Sequence, residues 1–213
     1  MEAPKTFLPK GGGYEGLAVY KKATVIYDMT FHFAHRFLQE HKDRTVDQMV
    51  QAARSGKQNI AEGSAASTTS SETELKLMNV ARASMKELLV DYEDYLRVRN
   101  LNQWNIHDER AVKTRSFCTK HTETADFMTD IDKRSDEAIA NIVITLLHQF
   151  DGMMGKLISS LEKDFVQKGG IRERMTAARL GYRQQQDAEI KQLTEENRKL
   201  KEEIAQLRRQ LGK

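Results

Sequence analysis

Proline is confined to the first few residues of this chain, and that placement constrains the fold more than any other feature. The two prolines are Pro4 and Pro9, so the rest of the 213-residue chain contains no proline that would break a helix. Beyond this point apolar residues recur at spacings of three and four, the period of an amphipathic helix. Charged residues make up 31% of the chain and aromatic residues 7%, which is typical of a soluble, mostly helical protein.

Four long helices are predicted from this periodicity, each with one apolar face. Such helices, joined by short or modest links, favour an all-α fold built around an antiparallel four-helix bundle. Thr45 and Gln48 predict a capping box at the start of the second helix. The apolar stripe of the third helix includes Arg82, which we expect to snorkel or to pair with an acid. Residues 100–134 interrupt the pattern and are predicted to form a connector. The predicted helices are Tyr14–His41, Thr45–Gly63, Glu72–Arg99 and Ser135–Val166.

Helix-capping residues predict the link between the second and third helices. Gly63 is expected to end the second helix in the left-handed conformation, which glycine adopts without steric cost. Ser70 and Ser71 are both good N-caps, and Ser71 with Glu74 predicts a capping box for the third helix. The Ser- and Thr-rich residues in between are therefore interpreted as the loop of a helical hairpin.

The chain divides into four predicted regions. They are a flexible leader at 1–13, the bundle at 14–166, a basic helix at 167–186 and a coiled coil at 187–213. GGGYEG, which runs from the end of the leader into the first helix, matches a dinucleotide-binding pattern, but no strand precedes it as that motif requires. We expect no signal peptide and no membrane partner because no long apolar run is present. The single cysteine, Cys118, fits a reducing compartment, so we expect a cytoplasmic protein.

Two stretches on either side of the hairpin loop resemble a known family. AARSGKQNIAEG, from Ala52 to Gly63, precedes the Ser-rich turn, and LMNVARASMKEL, from Leu77 to Leu88, follows it. They are similar to the four-helix bundle proteins named after intervening sequences in bacterial 23S ribosomal RNA genes. The family motif that closes the second helix corresponds here to Asn59, Ile60, Ala61, Glu62 and Gly63.

Residues farther along resemble the variant of this family that carries a C-terminal suffix. Gln103 with Trp104, then ANIVITLLHQ, LEKDF and GGIRERMTAARLGYR, carry this likeness, and the whole resemblance spans about Tyr14 to Arg183. It implies bundles that assemble into rings, commonly pentamers. It also implies a relation to accessory proteins of diversity-generating retroelements, in which a basic bundle binds the reverse transcriptase and its template RNA.

The chain departs from the family pattern at one end of the bundle. Val50 and Gln51 stand where basic residues often precede the Ala-Ala pair, and Gly56 with Lys57 replaces Ile-Pro. The turn after Gly63 also lacks the basic residues that are common there. If relatives contact RNA at this end, this chain is less well equipped to do so.

Two polar motif residues, Asn59 and Glu62, lie three residues apart on one helical face. A structural interpretation has Asn59 bonding to backbone across helices and Glu62 pairing with a basic neighbour. One such buried amide hydrogen bond contributes about 1 kcal/mol, which suffices to explain the residue without catalysis. The functional interpretation is a polar site at an oligomer interface or an RNA groove.

No motif predicts catalysis, so we expect a non-enzyme without cofactor or metal. His32 and His35 are three residues apart, but the Glu-x-x-His pairs of di-metal bundles are missing. Cys118 and His121 lack the second pair of ligands that a structural zinc requires. A nucleophilic role for Cys118 would need an orienting group that the sequence does not supply.

Two groups of basic residues are candidates for phosphate contacts. The first lies in the connector, with no acid between its members, and the second follows the fourth helix. Arg172, Arg179 and Arg183 are spaced at i, i+7 and i+11, which places them on one helical face. The alternative is a solvated face or arginines that pair with acids, since the net charge is only +3. The candidate nucleic-acid-binding residues are Arg110, Lys113, Arg115, Lys120, Arg172, Arg174, Arg179 and Arg183.

The C-terminal stretch carries a heptad pattern that predicts a parallel coiled coil. Its a positions are Ile or Leu with one Asn, and its d positions are Leu, a combination that favours two strands. Glu196 would meet Lys201 of a second chain, and Glu203 would meet Arg208. Two strands conflict with a five-membered ring, so three assemblies remain open: a dimer, rings of bundles joined by coiled coils, or a ring of bundles in which the seam packs elsewhere. The seam residues are Ile190, Leu193, Asn197, Leu200, Ile204, Leu207 and Leu211.

Two functions remain open from the sequence. The first is a non-catalytic, oligomeric accessory protein that binds structured RNA and assists a reverse transcriptase. The second is an adaptor that assembles through the bundle and the coiled coil and binds another protein. The steepness of the salt dependence of RNA binding would discriminate between them.

Overall fold

The computed structural model describes residues 13–38 and 44–212, apart from the side chain of Lys168. The described part of the chain is mostly helical, with an irregular segment at 99–108, short turns and two single-turn 3₁₀ segments at Tyr14–Gly16 and Ile131–Lys133. It divides into two compact units at the Lys168–Gly169 link. The α-helices are α1 (Ala18–Phe37), α2 (Thr45–Ala66), α3 (Ser71–Val98), α4 (Glu109–Lys120), α5 (Thr124–Met128), α6 (Asp136–Lys168) and α7 (Ile171–Gln210).

Helices α1, α2, α3 and α6 form a closed bundle in which each packs against two neighbours in that cyclic order. The hydroxyls of Ser55 and Ser84 lie 3.0 Å apart between α2 and α3, and Arg82 of α3 meets Asp151 of α6 at 2.6 Å. Farther along α3, the Tyr95 hydroxyl donates to Asp136 at the start of α6. Because contacts later in α3 meet residues earlier in α6, these two helices are antiparallel. The predicted helical bundle is confirmed.

The core of the bundle is filled by one apolar stripe from each helix. Phe33 of α1 packs between Tyr92 and Tyr95 of α3, with ring centroids 5.0 and 4.7 Å away. The Tyr92 hydroxyl is buried and donates to the hydroxyl of Thr30 at 3.2 Å, so its polar end is not left unpaired. Phe150 is the large aromatic residue that α6 contributes to the core, and it is fully buried. One continuous core therefore joins all four helices.

Helix α1 is shorter than predicted, and not all of its apolar residues face the core. It begins at Ala18 after a 3₁₀ turn and ends at Phe37, whereas the predicted end at His41 lies outside the described residues. Phe31 follows Tyr27 at the four-residue spacing of an apolar stripe, yet it leaves 46% of its surface exposed. The stripe through Ile26 and Phe33 faces the core instead, because α1 is covered on a second side by the connector.

Gly63 does not end α2, and the prediction of a left-handed cap there is wrong. The helix continues to Ala66, and the positive-φ glycines of the described chain are Gly169 and Gly212. A Cβ on Gly63 would lie 3.1 Å from Met78 Cε and 3.3 Å from Leu77 Cβ. The glycine therefore lets α2 approach α3 closely, and the break in the pattern begins three residues later than the sequence indicated.

The predicted capping boxes are also wrong. Ser70, rather than Ser71, is the N-cap of α3, and its hydroxyl accepts a hydrogen bond from the Thr73 backbone N–H at 3.1 Å. At the other end of the hairpin, α2 begins with Thr45 as its first helical residue after the N-cap Arg44, whose side chain makes no capping hydrogen bond. Several hydroxyl residues stand in a row at the start of α3, so a shift of one position still leaves a polar cap available there.

The connector contains a regular helix, α4, that the sequence did not predict. It packs on α6 and is held there by two amide side chains. Asn141 accepts from the Trp104 N–H and donates to the Asn102 carbonyl, while Gln149 donates to the Arg115 carbonyl. These bonds satisfy backbone groups of an irregular segment, so residues 102–120 are fixed against the bundle.

Helix α7 forms the second unit and runs without interruption from the predicted basic helix into the predicted coiled coil. Gly169, with φ of 69°, takes the left-handed conformation between α6 and α7, as the predicted break at Gly169–Gly170 requires. The Gly170 N–H donates to the Glu173 carboxylate at 2.9 Å, which satisfies a free backbone donor at the start of α7.

Candidate nucleic-acid and assembly surfaces

The basic residues of the connector are partly neutralised by acids that lie outside the run itself. Arg110 lies 3.3 Å from Asp108 and 3.8 Å from Glu137, and Lys113 lies 2.6 Å from Glu109. The hydrogen bonds from the backbone and side chain of Arg110 lower the pKa of Asp108. Two of the four predicted phosphate contacts are therefore engaged within the chain.

Arg115 and Lys120 differ from these two residues. Neither makes an ion pair with any residue in the described part of the chain. Arg115 is half-buried beside Trp104 and His148, whereas Lys120 is exposed at the end of α4. The guanidinium of Arg110 also lies over the Trp104 ring at 5.0 Å. The unpaired positive charge of these four residues therefore lies at Arg115, beside Trp104, and at Lys120 at the end of α4.

The basic residues of α7 form an exposed strip on one continuous helix. Arg172, Arg179 and Arg183 are exposed and have no acidic partner among the residues described. Glu173, the acid next to Arg172 in the chain, is bonded to the Gly170 backbone. At about 100° per residue the three arginines fall within about 40° of one another around the helix. We call them the basic strip; the neighbouring Arg174 is half-buried.

The predicted seam of α7 is exposed along its whole length. Its apolar side chains leave from 48% of the surface exposed at Ile204 to 77% at Leu211. Asn197 donates to the Leu193 carbonyl one turn earlier, so part of its amide is satisfied within the helix. A row of large apolar residues in water is unfavourable, at about 25 cal/mol per Å² of apolar surface.

The charged residues around this seam fall into two classes. Arg198, on the face opposite the seam, pairs with Glu195 at 2.7 Å and with Glu202 at 2.6 Å. Lys201 and Glu203, which flank the seam, make no ion pair within the described chain. The flanking charges are thus free to pair across an interface, while the outer charges are satisfied within the helix.

The family motif at the end of α2 has a structural role in this chain. The Asn59 amide donates to the carbonyl and the hydroxyl of Ser55 in its own helix, at 2.8 and 3.2 Å, and not across helices. Glu62 is exposed and, among the residues described, has no basic partner. Ile60 and Gly63 are buried against α3, and Ala61 is half-buried. The motif therefore packs α2 on α3 and leaves one free carboxylate.

Comparison with known proteins finds a family model that matches part of the first half of the chain. Residues 15–109 match the family model of the 23S rRNA-intervening sequence protein. The matched segment covers less than half of the 213 residues and contains α1, α2 and α3. Helices α6 and α7, with the basic strip and the seam, lie outside it. No curated protein and no solved structure matches the chain.

The groups that could carry chemistry in the bundle are engaged in packing. Cys118 is buried, and burial raises the pKa of its thiol to about 11, which keeps it protonated at neutral pH. His121 stacks on Phe117, with ring centroids 4.0 Å apart. In the described part of the chain no three His, Cys, Asp or Glu residues cluster as a metal site would require. No described helix is long and apolar enough to cross a membrane.

Two buried polar residues of the bundle were missed by the sequence analysis. Lys22 is only 5% exposed, and its amine donates to the Cys118 carbonyl and to the Gln149 side chain, both at 2.8 Å. Burial lowers the pKa of this amine. Asn141 is likewise buried and bonds to the connector. A polar residue inside an apolar stripe, such as Asn141 in ANIVITLL, was the available signal.

Proposed function

We propose that this protein is a non-catalytic, oligomeric accessory protein that binds structured RNA. The observation that carries the proposal is the basic strip, where Arg172, Arg179 and Arg183 are exposed on one face and lack acidic partners in the described chain. Arginines that are not neutralised within the protein are available to release counterions from a phosphate backbone. Because phosphate groups are the same at every base, contacts of this kind position the RNA without reading its sequence.

Assembly through α7 would support this function because each added chain brings another basic strip that can contact the same RNA. The exposed seam and the free flanking charges fit a second copy of the same helix, with Glu203 facing Arg208 of its partner. Two or more copies would present two or more basic strips to one RNA, so that linked weak contacts raise the overall affinity. A homo-oligomer, as a dimer or as joined rings of bundles, is therefore part of the proposal.

The family match is compatible with an association with RNA, since its description refers to ribosomal RNA. We extend the proposal to one protein partner, a reverse transcriptase that uses the bound RNA. The proposed role of the chain is then to hold RNA near that enzyme. The buried Cys118 fits a role without catalysis.

Salt-dependent RNA binding by the full chain tests the proposal. Changing Arg172, Arg179 and Arg183 together to Gln should weaken binding at low salt and flatten the plot of log affinity against log salt, since each phosphate contact contributes a slope of roughly 0.7 to 0.9. The matched control changes Lys191, Lys199 and Arg209 to Gln, which removes the same charge from other faces of α7. Equal losses in both variants, or no RNA binding at low salt, would contradict the proposal.

The second candidate function is an adaptor that binds another protein. The exposed seam favours it, because a row of exposed Leu and Ile binds a helix of any partner with a matching heptad. In that case the chain would form a complex with a different protein, and RNA affinity would be low even in dilute salt.

A further inference from the structure

We propose that a cavity between α6 and residues 103–115 binds one nucleotide unit, with its base on the apolar wall and its phosphate on Arg115. The inference deepens the proposed function and rests on it, because RNA would be the source of that unit. The cavity has a volume of about 450 Å³, within the range of about 300–1,000 Å³ that is usual for small-molecule sites.

The wall of the cavity combines apolar surface with a few polar groups. Trp104, Ile106 and Ile144 supply the apolar part, and Arg115, Gln103 and His148 supply polar side chains. A flat aromatic ring can lie against such a wall, and stacking of a base on an aromatic side chain contributes about 1–3 kcal/mol. The cavity therefore suits a ligand that has a flat apolar body and a polar end.

The charge of the cavity selects an anion. Every ionisable side chain in its lining is basic, and Arg115 is half-buried without an ion-pair partner in the described chain. A guanidinium can donate two parallel hydrogen bonds to a phosphate. By contrast, the larger groove beside α1 is lined by Asp28 and Asp132 as well as Arg36, so its charges are mixed. The phosphate is expected in the smaller cavity.

Fixed backbone distinguishes this cavity from an accidental gap. Asn141 accepts a hydrogen bond from the backbone N–H of Trp104, and Gln149 donates one to the backbone carbonyl of Arg115. Both residues are therefore positioned before a ligand arrives.

Trp104 is the only tryptophan of the chain, so its fluorescence reports on the cavity directly. Adenosine monophosphate titrated into the full-length protein should change this fluorescence and saturate. Adenosine and inorganic phosphate should each bind at least about tenfold more weakly, because each lacks one of the two contacts. Absence of a saturable change, or equal binding of phosphate alone, would overturn the inference.

Substitutions locate the contacts. Arg115→Gln should weaken binding of adenosine monophosphate by about tenfold or more, because a charged hydrogen bond is lost. Lys113→Gln is the matched control, since it removes the same charge from the same helix but outside the cavity. Ile106→Ala, at an exposed position, tests the apolar wall without disturbing the core. Equal affinities in all three variants, with helicity unchanged, would contradict the assignment.

Parallel binding measurements with an oligoribonucleotide test this inference separately from the proposed function. If Arg115→Gln weakens the binding of an oligoribonucleotide as well, the cavity takes a nucleotide of RNA. If the substitution weakens binding of the mononucleotide but not of the oligoribonucleotide, the cavity takes a free nucleotide and the RNA contacts lie elsewhere. If the protein binds RNA but no mononucleotide, the cavity is refuted while the proposed function stands. If it binds the mononucleotide but no RNA, the cavity stands while the proposed function fails.

Discussion

The bundle and helix α7 solve the same physical problem in opposite ways. Both are built from helices with one apolar face, and in the bundle that face is covered within one chain, so Phe33 and Phe150 are fully buried. In α7 the same kind of stripe is exposed, and Leu200 leaves 56% of its surface in water. Amphipathic periodicity therefore says which face of a helix needs a partner, but it does not say whether the partner belongs to the same chain.

The largest expected effect is on the free energy of unfolding, when a large apolar side chain of the bundle core or of the α7 seam is changed to alanine. Phe150→Ala should lower the free energy of unfolding by about 3–5 kcal/mol at any protein concentration, because it leaves a cavity inside one chain. Leu200→Ala, in the seam, should act through assembly, so its effect should shrink as the protein is diluted. Chemical denaturation at two protein concentrations measures both. A concentration-independent loss for Leu200→Ala would remove the distinction between the regions.

Glycines give a second, smaller contrast. A Cβ on Gly56 of α2 would lie 2.6 Å from Met85 Cε and 2.7 Å from its Cγ, whereas a Cβ on Gly181 of α7 would meet nothing within 4 Å. Gly56→Ala should therefore destabilise the bundle by about 1–3 kcal/mol through overpacking. Gly181→Ala should stabilise α7 by about 0.5–1 kcal/mol, since alanine is the better helix former. Thermal unfolding followed by circular dichroism measures the change in stability of both variants. Stability changes of the same sign would contradict the comparison.

The smallest expected effect concerns pH. Hydrogen bonding from Arg82 lowers the pKa of Asp151 below its ordinary value, so the pair stabilises the fold above pH about 4 and this contribution is lost as the pH falls through the lowered pKa. Asp151→Asn should cost about 1 kcal/mol at neutral pH, a modest value because both side chains are one-third exposed. Chemical denaturation of the wild type and of Asp151→Asn at neutral and acidic pH measures this. The difference between their free energies of unfolding should be smaller at acidic pH. A constant difference would exclude a charge effect.

Features that depend on local sequence could be predicted. The helical class, the extents of α3 and α6 and the pairing of Arg82 with an acid follow from periodicity and from the few helix breakers. Gly169 was also predictable as a break, because two adjacent glycines end a helical pattern. These features need no knowledge of which helices become neighbours.

Features that depend on packing could not be predicted. Gly63 reads as a helix end but is a contact point, because the close approach of Met78 from another helix decides its role. Phe31 belongs to the apolar pattern of α1 yet is exposed, since the connector covers a different face. The basic cluster looked free of acids because none lies between its members. Asp108 and Glu109, which directly precede it, nevertheless pair with Arg110 and Lys113, and only Glu137 is distant in sequence. Side chains from another segment thus set the role of Gly63, whereas the pairing of the basic cluster is partly local.

The molar mass of the full-length protein in solution, measured by light scattering, tests the central claim that the α7 seam is covered by a second copy. The seam variant changes Leu193, Leu200 and Leu207 to Ser, and the matched control changes Gln192, Lys199 and Gln206 to Ser at the same heptad spacing on the outer face. We predict a wild-type mass of two chains or a higher multiple, an unchanged mass in the control and a lower mass in the seam variant. A wild-type mass of one chain, or an unchanged mass in the seam variant, would contradict the account.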